Sequence, residues 1–206
     1  MSSISIIGTG NMASAMAERA LVGDNEVEII GRDPAKAKEL AAALGGATVG
    51  TAETAPAGDI VILAVPYATA AAVVSEYGDT LRGKVVIDIT NPVSPDLTGF
   101  VTPEGSSGAQ EIAKAAPAGA YVVKAFNTLF ANVLADGRPV DVFIAGDDAP
   151  AKAHVSVFIE SLGLRPLDAG PLPMARALEN VGLLEISLLN HSVKHTDFFL
   201  GVNVLS

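Results

Sequence analysis

The chain has 206 residues, a formal charge of −10 at pH 7, no cysteine and no tryptophan, and half of its residues are apolar against 17% charged. This composition predicts one compact domain, or one with a small appendage, and excludes intrinsic disorder. It also excludes disulfides, thiolate zinc sites and cysteine nucleophiles, so any redox chemistry must come from a bound cofactor. A sequence pI of about 4.6 argues against a general nucleic-acid binder, because phosphate backbones need a basic surface. Residues 1–8 carry no basic leader or cleavage site, and no apolar run reaches the roughly eighteen residues of a membrane span. The reading is a cytoplasmic protein without a membrane partner.

Residues 4–7, 27–30, 60–65, 85–89 and 121–123 are short apolar runs rich in β-branched residues and lacking polar alternation. Strands that hydrophobic must be covered on both faces. Between them, residues 12–22, 34–44 and 68–81 are Ala-rich with apolar positions at helical spacing. Alternation of this kind predicts an α/β fold: a Rossmann-type, doubly wound parallel sheet. Pro34 suits a first helical turn and Gly45-Gly46 a helix end. Residues 91–108, with three prolines and three glycines, read as a binding loop or a mobile lid. Further on, residues 140–145 read as a strand, 148–162 as a helix, 164–167 as a strand and 175–193 as a longer helix. The expected division is a nucleotide-binding domain over residues 1–146 and a small lobe over 147–206, packed on the sheet and closing a second-cofactor cleft.

The first strand runs into Gly8-Thr9-Gly10-Asn11-Met12-Ala13, a G-x-G-x-x-A turn between a strand and a helix. Gly8 permits the tight turn, Gly10 lets the backbone approach a pyrophosphate, and Ala13 lets the helix pack closely on the strand. The helix N-terminus offers N–H groups and a positive dipole end, which lets an acidic protein hold an anion. At the end of the second strand stands Gly31-Arg32-Asp33. Arg32 can stack on adenine and pair with a 2′-phosphate, and Lys36 adds a second positive charge, which predicts NADP(H) over NAD(H). Asp33 is the counter-sign, since a carboxylate there would suit the ribose 2′-hydroxyl of NAD. Val65-Pro66 and Asn91-Pro92-Val93 end two strands on the edge where open α/β sheets bind ligands, or are ordinary strand-terminating turns.

Candidates for proton chemistry are few. Lys124 follows a strand and could act as an acid or serve as a structural lysine. His191 and His195 stand at i and i+4 without a third ligand, and Asp147-Asp148 reads as a helix cap, so no metal site is expected. Hydride transfer between two cofactors needs mainly oriented approach of two carbons, so positioning residues suffice.

The whole chain resembles the NADPH-dependent reductases of the 8-hydroxy-5-deazaflavin coenzyme F-420. The matching segments are Gly8-Thr9-Gly10-Asn11, Gly31-Arg32, Ala145-Gly146-Asp147-Asp148 and Gly163-Leu164-Arg165-Pro166-Leu167-Asp168-Ala169-Gly170-Pro171-Leu172. The resemblance implies hydride transfer between NADP(H) and the deazaflavin, their rings stacked between the sheet and the C-terminal lobe, in a protein that pairs as a homodimer. Carried over by position, the dinucleotide contacts Thr9, Asn11, Met12, Arg32, Lys36, Pro66 and Ala125. The deazaflavin lies near Asn91, Pro92, Val93, Asn127 and the tail at Leu200, Gly201 and Val202. One departure is Phe126-Asn127-Thr128, where archaeal members carry a histidine. The phrase Val123-Lys124-Ala125-Phe126-Asn127-Thr128 instead resembles the nucleotide domain of STEAP-type metalloreductases, and the turn at residues 7–13 resembles pyrroline-carboxylate reductases. The acceptor therefore stays open between deazaflavin, FMN or FAD, and iron, and a non-catalytic NADPH sensor stays open beside them.

Overall fold

The strand β1 (Ser3–Ile7) shows how this sheet is covered on both sides. Successive side chains alternate faces, so Ile4 and Ile6 enter one core and Ile7 the other. Each of these buried isoleucines contributes about 1.5–3 kcal/mol relative to exposure. Ser5 shares the face of Ile7. Its buried hydroxyl donates to Glu28 Oε2 and accepts the Gly58 N–H at 2.8 Å, which satisfies the one fully buried polar side chain of the strand.

A computed structural model describes residues 1–205. After β1 come α1 (Asn11–Val22), β2 (Glu26–Ile30), α2 (Pro34–Leu44), β3 (Thr48–Gly50), β4 (Ile60–Leu63), α3 (Tyr67–Tyr77), β5 (Val85–Asp88) and α4 (Gly108–Ala115). Then follow β6 (Tyr121–Lys124), α5 (Ala131–Ala135), β7 (Asp141–Gly146), α6 (Ala149–Ser161), β8 (Arg165–Asp168) and α7 (Ala175–Leu188), which a π-helical turn over Leu189–Val193 extends. The described residues form one eight-stranded sheet in the order β3-β2-β1-β4-β5-β6-β7-β8. The first six strands pair in parallel, β7 runs antiparallel to β6, and β8 is parallel to β7. This is a Rossmann-type doubly wound sheet, whose chain order reverses between β1 and β4 and so opens a crevice at the carboxyl edge. The sheet continues past residue 146, since β8 adds to its edge and α6 packs on β6, β7 and β8.

Punctuation in the sequence sets the helix ends. The Asp33 side chain accepts the Ala35 N–H at 3.0 Å ahead of Pro34, and Gly45 closes α2 in the left-handed conformation. Asp148 likewise caps α6 through the Ala151 N–H at 2.8 Å. Its neighbour Asp147 accepts the Leu172 N–H at 2.8 Å and fixes the chain after β8. Three elements carry weaker signals. β3 is a three-residue edge strand with exposed side chains, and α5 has five residues. α4 begins inside the stretch expected to be a loop, and its start is marked by a capping box between Ser107 and Gln110.

Candidate functional site

At the carboxyl edge, β1 turns into α1 through a backbone only glycine tolerates. Gly8 has φ +138°, and a Cβ there would stand 2.1 Å from the Ala64 carbonyl oxygen. Its N–H is tied to Ile30 O at 2.8 Å, so the turn is clamped between β2 and β4. Gly10 caps α1 without a side chain, and a Cβ there would meet nothing, leaving the first-turn N–H groups open toward solvent. Asn11 is exposed and Met12 partly buried in that turn.

In front of the turn lies a cleft of about 440 Å³ whose lining includes Gly8, Thr9, Gly10, Arg32, Lys36 and Pro66. Val65 lines it as well. The volume lies within the range of small-molecule and cofactor sites, about 300–1,000 Å³. Arg32 and Lys36 are exposed and make no salt bridge among the described residues. Asp33 is held by its capping bond to α2, which separates the basic and acidic residues of the Gly31-Arg32-Asp33 turn by task. An exposed guanidinium, an ammonium one helical turn away and a row of free amides suit a phosphorylated dinucleotide.

Beside this cleft, the ends of β5 and β6 are closed by α7. The Asn91 side chain donates to Asn127 O at 2.7 Å, and Asn127 Nδ2 donates to Asn91 Oδ1 at 2.9 Å and to Leu178 O at 2.9 Å. α7 lies against this pair because residue 182 is glycine: a Cβ would stand 2.7 Å from Asn91 Oδ1. Phe126, before Asn127, is fully buried with φ +61° and packs edge-on against Phe158 at 6.2 Å. A left-handed phenylalanine is costly and persists only where packing over-determines it, and here it aims Asn127 at Asn91. Pro92 is buried, Val93 bridges to Phe100, and Ala125 is fully buried with its N–H on Asp88 O at 3.2 Å.

The tail places Gly201 and Val202, just after Leu200, beside Asp141 at the start of β7. The Val202 N–H donates to Asp141 Oδ2 at 2.6 Å, and Arg165 donates both to the Val202 carbonyl and to Asp141. Phe198 packs on Phe130 at 5.3 Å. His191 and His195 are exposed, and His191 Nδ1 lies 2.9 Å from Ser187 O.

Lys124 is fully buried. Its ammonium donates to Asp88 Oδ2 at 2.9 Å, to Glu179 Oε1 at 3.1 Å and to Thr90 O. All three N–H bonds of the ammonium are thereby committed, so Lys124 joins β5, β6 and α7. Burial pushes the Glu179 carboxyl upward, Lys124 pulls it down and Asp88 pushes it further up. Glu179 was legible only as a polar interruption in an apolar stripe. The same is true of Glu185, which lies on the same buried face of α7 as Gly182 and is 3% exposed. Burial raises its carboxyl to about 8, opposed only by the Leu200 backbone N–H. Thr90 Oγ1, Asn127 Oδ1, Glu179 Oε2 and Glu185 Oε1 are buried without a partner.

Comparison with known proteins places this geometry in context. The family model described as "NADP oxidoreductase coenzyme F420-dependent" matches residues 3–92. The F420-dependent NADP reductase of Methanothermobacter marburgensis is 31% identical over 217 residues, covering 96% of this chain and 95% of that protein. Rat metalloreductase STEAP3 is 33% identical over 185 residues and covers 87% of this chain, which spans about a third (36%) of that protein's length. A crystal structure of a candidate F420-dependent NADP-reductase from Arthrobacter sp. FB24 superposes with a TM-score of 0.87 at 26% identity, covering 99% of this chain and 100% of the other. With its dinucleotide turn, its basic β2 end and this end-to-end match, the chain belongs to the F420-dependent NADP oxidoreductase family.

Proposed function

We propose that this protein is an oxidoreductase that moves a hydride between NADP(H) and the 8-hydroxy-5-deazaflavin coenzyme F-420. NADP and F-420 dependence come with the family. The observation that carries the donor half is Arg32, exposed on the cleft and unpaired, beside an Asp33 committed to capping α2. In this reading Gly8, Thr9, Gly10, Asn11 and Met12 hold the diphosphate, Arg32 and Lys36 the 2′-phosphate, and Val65, Pro66 and Ala125 flank the nicotinamide half. The acceptor lies along Asn91, Pro92, Val93 and Asn127, under the tail at Leu200, Gly201 and Val202. When bound, NADPH supplies the hydride, and the chain's contribution is to hold two flat rings face to face with water excluded.

The segment after β8, which includes α7 and the tail, closes the acceptor side in this proposal. The apolar tail, where Val202, Val204 and Leu205 are exposed, offers a surface for pairing two copies. No helix among the described residues is long and apolar enough to cross a membrane, and the reading places the reaction in the cytoplasm.

Mixing the protein with NADPH and oxidised deazaflavin is expected to bleach the deazaflavin's visible absorbance. A second reading is favoured by the 33% identity to a metalloreductase domain, and it requires faster turnover with FMN, FAD or chelated ferric iron than with deazaflavin. Saturable NADPH binding with no turnover of any acceptor would leave a sensor.

A further inference from the structure

We infer that Glu185 is a catalytic acid–base residue of the acceptor site, exchanging with the acceptor ring the proton that must accompany the hydride. The inference rests on the deazaflavin reading above. It begins from stoichiometry: NADPH, oxidised deazaflavin and one proton give NADP⁺ and the reduced deazaflavin. The C–H bond of the nicotinamide breaks with its electron pair, a C–H bond forms on the acceptor ring, and a ring nitrogen gains a proton. With Lys124 donating all three of its N–H bonds inside the protein and Glu179 tied to it, the other groups near the acceptor are amides and hydroxyls, and these are poor proton donors.

Glu185 has the required placement. It follows Gly182 by one helical turn on the face of α7 that lies against Asn91 and Asn127, and it is buried. The Leu200 N–H only partly offsets the effect of that burial, and Oε1 has no partner, as Asn127 Oδ1 has none. Two buried polar atoms without partners, one on α7 and one just after β6 where that helix meets the strand ends, are groups that a ligand's polar edge would satisfy. The charged groups on the surrounding elements are engaged elsewhere. Lys124 of β6 holds Asp88 of β5 and Glu179 of α7, Asp141 of β7 holds Arg165 of β8, and Asp197 faces Arg138. None of these contributes to the shift of Glu185, which comes from burial alone against the Leu200 N–H. A carboxyl that titrates near 8 holds its proton at neutral pH and can release it within the working range, and solvent then restores it.

The test compares the wild type with Glu185→Gln, which keeps the shape and loses the proton. NADPH titration reports folding of the variant and an intact donor cleft. Infrared spectra of the ligand-free protein at pH 7 should show a protonated-carboxyl band that moves with pH near 8 and is missing from the variant. The wild-type rate of deazaflavin reduction should fall as pH rises through about 8. The variant should lose that break and about 10²-fold in kcat, with NADPH binding within twofold of wild type. A variant with wild-type kcat and the same pH break overturns the role of Glu185, as does a wild type without the infrared band. A wild type that never reduces deazaflavin overturns the acceptor reading as well, and the absence of turnover in the wild type distinguishes that failure from the first.

Discussion

Under the proposed function, Arg32 would select the phosphorylated cofactor through its unpaired state. A guanidinium already spent on an internal carboxylate would have to break that bond to take a phosphate, whereas Arg32 loses only hydration. Replacing Arg32 with Ala is expected to raise the KM for NADPH by about 10- to 100-fold, the equivalent of a charge-assisted bond of roughly 1.5–3 kcal/mol. The KM for NADH should stay nearly constant, and comparing the two by steady-state kinetics checks it. Lys124 belongs to a different class, because its charge is the only cation between two buried carboxyls. Lys124→Met would leave Asp88 and Glu179 uncompensated, at a cost of about 3–5 kcal/mol. For a chain of this size that is a fall in Tm on the order of 10 °C, measurable by calorimetry. Glu185 adds a pH dependence whose sign is fixed. Its folded pKa is raised from 4.5 to about 8, so its contribution to stability is complete below about 4.5 and is lost as pH climbs through 8. Glu185→Gln should therefore melt close to wild type at pH 5 and several degrees above it at pH 9.

At the scale of elements, α7 reaches the sheet only where its side chains are small or polar enough to allow it. Gly182 stands against Asn91, and Leu178 offers a backbone carbonyl to Asn127, so the helix axis passes close over the β5 and β6 ends. Gly182→Val would drive two methyl groups into the Asn91 amide. Its expected result is a loss of acceptor turnover of tenfold or more with NADPH affinity within twofold, because the donor cleft lies on β1, β2 and β4. Equal loss of NADPH binding, seen by fluorescence titration, would count against that division. α4 teaches a related lesson about legibility. It is amphipathic, with Ala109 and Ile112 buried, and the Ser107 and Gln110 capping box was present in the sequence as a start signal, but two turns directly after a proline-rich stretch make a short window for reading a period.

Across the whole molecule the two halves of the site differ in how they are held. The dinucleotide cleft is framed by the parallel core of the sheet. The tail is pinned by a few bonds at the opposite margin, chiefly Val202 with Asp141 and Arg165, and Asn132 with Thr196. Ending the chain after Lys194 is expected to leave NADPH affinity within about threefold while cutting deazaflavin turnover at least tenfold. Stopped-flow measurement of each step separates the two. Such an asymmetry is common where a rigid scaffold carries one ligand and a late-ordering segment completes the site for the other.

The nucleotide half was legible because it is local in sequence. Gly8 to Ala13, Gly31 to Asp33 and the strand runs around them are consecutive elements, and periodicity with glycine placement suffices to position them. The parallel strand alternation likewise set the fold class. The antiparallel turn of β7 and the addition of β8 to the same sheet depend on edge pairing and left no mark in composition. The acceptor half was decided by tertiary contact. Asp88, Lys124 and Glu179 are separated by 36 and 55 positions, and only docking of α7 turns them into one buried cluster. The same docking takes Glu185 out of water. A glutamate in a helix is an ordinary solvated acid until the fold removes its hydration, and that desolvation, absent from any sequence pattern, is what raises its carboxyl into the range the proposed proton exchange needs.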